Sequence, residues 1–329
     1  MKAIKQRTRV SSERAAGSRL YALKESFLRF FGDLKFFGGQ PRLFIIPHLL
    51  FAPFGYTLLH DPRSYRIKGG DMRKVMANIQ PGDILVRGFD NYVDGSFIPG
   101  FFSHAGLYLG KVDEATIRQQ WGDSLPGSTE NRNRYAPLDE VLEKAEYGDQ
   151  MVIHSMKDGI FMEDLLNFCR CDYMVAIRFP HSLSRADFVQ QPYSESAEIK
   201  NTFTGEELIL AERLQNRTPL TFEQAFPVIF KLALSQLGKE YDFGLDFASF
   251  KKMSCTEFVY YCTKSLEWCS GVHPVVESVM GIKAPGISPD SFVGSPNLEA
   301  KFSSESVLTN GTVEKIKALY PGPYGGFPD

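Results

Sequence analysis

Lys252-Met253-Ser254-Cys255-Thr256-Glu257-Phe258-Val259-Tyr260-Tyr261-Cys262 reads as a helix start that carries a thiol. Ser254 followed three residues later by Glu257 is a capping box, in which each side chain can satisfy the other residue's backbone amide. Cys255 then falls at the first helical position, where free amides and the positive end of the helix dipole converge. That placement predicts a thiol pKa below the free value. Cys255, Phe258, Val259, Cys262, Leu266 and Cys269 recur at helical spacing, so the thiol faces inward at the edge of a core. A cysteine in such a stripe is ordinarily a small buried hydrophobe, and Cys262 and Cys269 are read that way. Cys255 is set apart by its cap and by two histidines far upstream.

Phe101 to Gly110 reads as a strand. In alternation His104, Gly106 and Tyr108 share one face, and Ala105, Leu107 and Leu109 take the other. Met151-Val152-Ile153-His154 reads as another strand. Acyl chemistry at sulfur needs a nucleophile, a base to take and return its proton, and a group that orients the base. The candidates are Cys255 as nucleophile, His104 as base and His154 as orienting group. Asp242 and Glu257 are acidic alternatives for the third role. The Cys255 amide is a candidate oxyanion donor.

The chain has 329 residues, 43% hydrophobic and 23% charged, with a net charge of −2. That balance excludes nucleic acid as the main partner. Five cysteines make an odd number, and Cys169 and Cys171 lie too close along an expected strand to pair, so free thiols are expected. Cys169-Arg170-Cys171 has the wrong spacing for a zinc site, and neither a metal nor a cofactor is expected.

Residues 1–75 form a basic N-terminal extension. Ten Lys/Arg stand against three Asp/Glu in residues 1–42. Leu20, Leu23, Phe27, Phe30, Phe31 and Leu34 describe an amphipathic helix. Leu43 to Leu59 is uncharged but broken by Pro47 and Pro53, too interrupted for a spanning helix. Residues 20–60 are expected either to pack on the main domain or to make peripheral contact with a membrane. No signal peptide is evident, which places the chain in the cytoplasm or at a membrane surface.

The main domain is expected over residues 76–295, opening with the Pro81-Gly82-Asp83 turn into a short apolar strand. Residues 111–149 read as an insertion. Met162 to Phe168 reads as a short helix, and residues 180–221 as a connector, with no core signal as far as Gly205. Phe222 to Leu237 reads as a helix, and residues 296–329 as a tail.

Taken in order, Gly82-Asp83-Ile84, Ser103-His104-Ala105-Gly106-Leu107-Tyr108, Val152-Ile153-His154, Tyr241-Asp242-Phe243, Ser254-Cys255-Thr256-Glu257-Phe258-Val259 and Ser288-Pro289-Asp290 resemble the permuted papain-fold cysteine hydrolases. The nearest branch is the YiiX-like, NlpC-type amidases, in which the histidine strand precedes the cysteine helix. The resemblance implies an α+β fold, a small antiparallel sheet packed on the cysteine helix, and Cys255 with His104 as the catalytic pair. A histidine at the third position resembles the lecithin:retinol acyltransferase-like group instead. The expected activity is therefore that of a cysteine amidase or peptidase. Its alternatives are a lipid acyltransferase or phospholipase, and a binding module that has lost the chemistry. The expected substrate contains an amide or a lipid ester. If residues 20–60 attach to membranes, the chain without residues 1–60 should no longer sediment with anionic vesicles; unchanged sedimentation would exclude attachment there.

Overall fold

The computed structural model describes residues 66–89, 100–122, 125–126, 135–242, 247, 250–279 and 282–319. The segment expected to touch a membrane, residues 20–60, lies outside them. Among the described residues no helix is long and apolar enough to cross a membrane.

The fold is α+β. Its frame is a six-stranded antiparallel sheet built from β1 (Ile84–Gly88), β2 (His104–Val112), β3 (Gly148–Met156), β4 (Gly159–Asp164), β5 (Tyr173–Arg178) and β6 (Glu299–Ser303). The strand order is β6-β5-β1-β2-β3-β4. The central strands β1 and β5 are buried along almost their whole length, and their sequences are accordingly continuous apolar runs, not alternating ones.

Five helices matter for the site and its support: α1 (Leu165–Phe168), α2 (Gly205–Gln215), α3 (Phe222–Leu234), α4 (Cys255–Thr263) and α5 (Pro289–Gly294). On one sheet face Ile84, Val86, Ala105, Leu107, Ile153 and Val175 join Phe258 and Val259 of α4 and the apolar side of α3 in the main core. Phe258 is fully buried there, worth about 1.5–3 kcal/mol relative to exposure. On the other face Leu85, Tyr108, Val152, Met174 and Phe302 pack with Phe168 of α1 and with Val75 from the helix Gly69–Asn78. The sheet is thus covered on both sides.

Several expectations from sequence change here. Residues 159–164, within a stretch read as turn and helix, form β4, and only Leu165–Phe168 is helical. Cys169 and Cys171 lie in the turn before β5, not in a strand. Residues 111–149 contain two helices, Glu114–Gly122 and Leu138–Lys144, whose Ile117 and Val141 reach the core. The connector is structured as well: α2 is capped by a Thr204/Glu207 capping box and buries Leu210, Ala211 and Leu214. Its two first-turn carboxylates are buried because each meets a buried lysine from elsewhere. Glu206 pairs with Lys231 at 2.7 Å, and Glu207 pairs with Lys264. Beyond residue 295 the chain supplies β6, which pairs with β5.

The β3–β4 turn ends at Gly159, with φ of +102°. Residues 238–239 run along the outer edge of β4, since the Gly238 amide donates to the Ile160 carbonyl and the Ile160 amide to the Lys239 carbonyl. A Cβ at position 159 would lie 2.4 Å from the Lys239 carbonyl oxygen. Gly159→Ala should therefore destabilise the fold by more than about 1 kcal/mol, read from the midpoint of urea unfolding.

Candidate active site

The capping box at the start of α4 forms as the sequence indicates. The Ser254 hydroxyl accepts from the Glu257 amide at 3.4 Å, and the Glu257 carboxyl accepts from the Ser254 amide at 2.6 Å. Glu257 also accepts from the Phe247 amide at 2.9 Å, which tethers the preceding segment to the helix start. Burial, with the Asp242 charge added, pushes the Glu257 carboxyl above the usual range. Glu257 is therefore committed to the cap, and it does not orient a histidine.

Cys255 is the first residue of α4 and is buried. The amides of Ala105 and Thr256 stand near enough to the sulfur to favour its anion. Pairing between β2 and β3 begins one residue after Ala105, at Gly106 opposite His154.

The expected fall in the thiol pKa is not found. Burial pushes the Cys255 thiol up to about 11, and the amides of Ala105 and Thr256 offset only part of that shift. Desolvation of the anion outweighs the helix end. The resting sulfur is a thiol. The Tyr241 phenol, in a half-buried residue, has its pKa raised by loss of solvent and by the nearby Cys255.

The two histidines lie on the opposite face of the sheet. Ser155, on the helix-facing side of β3, donates its hydroxyl to the Met253 carbonyl at 2.6 Å, so its neighbour His154 points to the other face. His104 opposes Arg87 of β1 and shares that face with His154. The structure brings the imidazoles together, with His104 Nε2 and His154 Nδ1 2.8 Å apart. They lie among aromatic rings. His154 is 4.5 Å from Phe161 and 5.4 Å from Phe168, and His104 is 5.8 Å from Phe168, centroid to centroid. The Cys255 helix thus packs on one face of the sheet and the histidines lie on the other, with Phe168.

Behind His154 stands a carboxylate that the sequence reading did not single out. Glu163 Oε1 lies 3.1 Å from His154 Nε2 and 3.5 Å from the Arg87 guanidinium. The contact to Nε2 is off the axis of a hydrogen bond, so it acts mainly as a close electrostatic contact. Arg87 is itself fixed by donating to the Phe168 carbonyl at 2.6 Å and lying 4.1 Å over the Phe168 ring. Burial holds the His154 pKa below the ordinary value, although Glu163 pulls it upward. Burial would raise the Glu163 pKa, but His154 and Arg87 together hold it below the usual range. The signal that could have found Glu163 is the alternation of Ile160 and Met162 against Phe161 and Glu163.

The loop before His104 is held by Asp290 of α5, whose carboxylate accepts the amides of Phe101 at 2.7 Å and Phe102 at 2.8 Å. Gly100, with φ of +113°, allows that approach, because a Cβ there would lie 2.7 Å from the carboxylate. Burial pushes the Asp290 carboxyl up to about 6 against the pull of the two amides. Among the described residues no group of three or more His, Cys, Asp or Glu is arranged to hold a metal ion.

No family model matches the chain, and no curated protein does. Among solved structures it is similar to the metalloprotein YiiX from Escherichia coli O157:H7, with 13% identity over 68% of this chain and 96% of that one and a TM-score of 0.34. A likeness of that size bears on neither the site nor its chemistry.

Asp290→Ala should cost about 2–3 kcal/mol, the loss of charge-assisted hydrogen bonds to two buried amides. It should also speed hydrogen exchange at Phe101 and Phe102 while leaving Phe258 protected. Unchanged exchange at those two amides would show that Asp290 does not hold the loop.

Proposed function

We propose that the chain is a cysteine hydrolase that cleaves an amide bond through a thioester on Cys255, in an arrangement like that of the permuted papain fold. The observation that carries this reading is the buried thiol at the capped start of α4, near the amide of the residue that follows His104, with His104 Nε2 2.8 Å from His154 Nδ1.

Because the resting sulfur is a protonated thiol, the reaction proceeds by general base catalysis and not from a preformed ion pair. Sγ adds to the substrate carbonyl carbon as its proton passes to His104. The tetrahedral species collapses, the C–N bond breaks, and His104 returns that proton to the departing amine. Water, deprotonated by the same imidazole, then cleaves the C–S bond to release a carboxylic acid and restore the thiol. The amides of Cys255 and Thr256 at the helix start are the donors nearest the developing oxyanion. His154 keeps the His104 ring oriented through both steps.

A second reading shares the thioester and differs only in the donor. The histidine in the third position favours acyl transfer from a lipid ester, as in the lecithin:retinol acyltransferase-like group. Intact-mass measurement with peptide amide and phospholipid donors separates the two. An acyl adduct from the peptide donor supports the amidase, and one from phospholipid supports the acyltransferase. The absence of any adduct would leave a binding module. Cys255→Ala should abolish the adduct, and His104→Ala should slow its formation by about 10²–10⁴-fold. His154→Ala should slow it without abolishing it.

A further inference from the structure

The charge pair behind the histidines, Arg87 buried and Glu163 half-buried, has no role in the steps above. Glu163 comes from β4 and Arg87 from β1, and strands β2 and β3, which carry the two histidines, lie between them in the sheet. Arg87 is buried, with its guanidinium pinned at the Phe168 carbonyl and over the Phe168 ring. Burying a charge such as that of Arg87 costs several kcal/mol unless its partners repay it. Apolar residues would fill this layer at lower cost, as Leu85, Val152 and Met174 do beside them.

We propose that Glu163, held by Arg87, is a positioning residue that fixes the proton of His154 on Nε2 and thereby makes His104 Nε2 the donor across the histidine pair. This rests on the proposed hydrolase reading for the identity of the base, but the proton assignment stands on geometry alone. A neutral imidazole carries one N–H. If His154 held its proton on Nδ1, the Nε2 lone pair would face the Glu163 carboxylate at 3.1 Å, two electron-rich atoms in contact inside an aromatic pocket. With the proton on Nε2 that contact is attractive. His154 Nδ1 must then accept across the 2.8 Å contact, so His104 donates from its Nε2. A neutral His104 then carries its one proton on Nε2. One carboxylate thus sets the proton positions of two rings in series. As the reaction places a positive charge on His104, the same carboxylate, reached through His154, stabilises it.

The groups around the pair are Arg87 from β1, His104 and Tyr108 from β2, Asp164 on β4 and Cys169 after α1. Arg87 opposes any positive charge on the histidines. Glu163 favours one. Removing the Glu163 charge alone should therefore make His104 easier to deprotonate, and the pH dependence of the site should move.

The direct test is ¹⁵N NMR of histidine-labelled wild-type protein, with the six histidines assigned by single substitution. His154 and His104 should both show protonated Nε2 and bare Nδ1 at neutral pH. A protonated Nδ1 on His154 would overturn the proposal whatever any variant does, and even if Cys255 proves unreactive. The second measurement is the pH profile of Cys255 alkylation by iodoacetamide. In Glu163→Gln the acid limb should shift down by about one pH unit, the loss of one nearby opposite charge. An unmoved limb in a folded variant would reduce Glu163 to a structural role and overturn the proposal. If the wild-type Cys255 does not alkylate at all, the hydrolase reading fails while the NMR result still decides the proton positions. If Glu163→Gln does not fold, the wild-type spectrum decides alone.

Discussion

The buried hydrogen bond from the Ser155 hydroxyl to the Met253 carbonyl, 2.6 Å long, is the contact on which the arrangement depends. Ser155 follows His154 on β3, and Met253 stands two residues before Cys255, so one bond ties a histidine strand to the start of the thiol helix. A buried polar group without a partner costs about 1–3 kcal/mol, so the tether is also a packing requirement. Pairing of β2 with β3 starts at Gly106, one residue after the Ala105 amide that favours the sulfur anion.

Two opposed effects set the character of the sulfur. The helix start stabilises an anion by about 0.3–1 kcal/mol in exposed settings and up to about 2 when partly buried. Taking the sulfur out of water works the other way and wins, with the thiol pushed from 9.0 to about 11. The consequence is a nucleophile that needs its base at the moment of attack, and the base in turn needs support. The pocket around the histidines is lined by Phe161 and Phe168, which offer no solvent to stabilise an imidazolium. Glu163 is the nearby anion, and Arg87 keeps it ionised.

The local parts of this arrangement were legible in the sequence. A capping box spans three residues, so Ser254 and Glu257 declare the start of α4 by themselves. The alternation of His104, Gly106 and Tyr108 declares a face. What could not be read depends on contacts distant in sequence. Glu163 was hidden because Met162, Leu165, Leu166 and Phe168 fall at helical spacing and mask a short strand before them. Its partner Arg87 lies 76 residues away. The connector was misread for a related reason: Glu206 and Glu207 look like a solvated surface until Lys231 and Lys264 are seen buried against them. The thiol pKa was misjudged because a helix end is a local feature, whereas burial is the work of the whole fold.

The most direct measurement is competitive alkylation of all five cysteines in the folded protein, resolved by peptide mapping. Cys169, Cys171, Cys262 and Cys269 are buried without a helix start or a histidine to activate them. Cys255 should label first, and His104→Ala should remove its advantage while leaving the other four unchanged. Labelling of Cys262 or Cys169 as fast as Cys255, or a Cys255 rate indifferent to His104, would contradict the account.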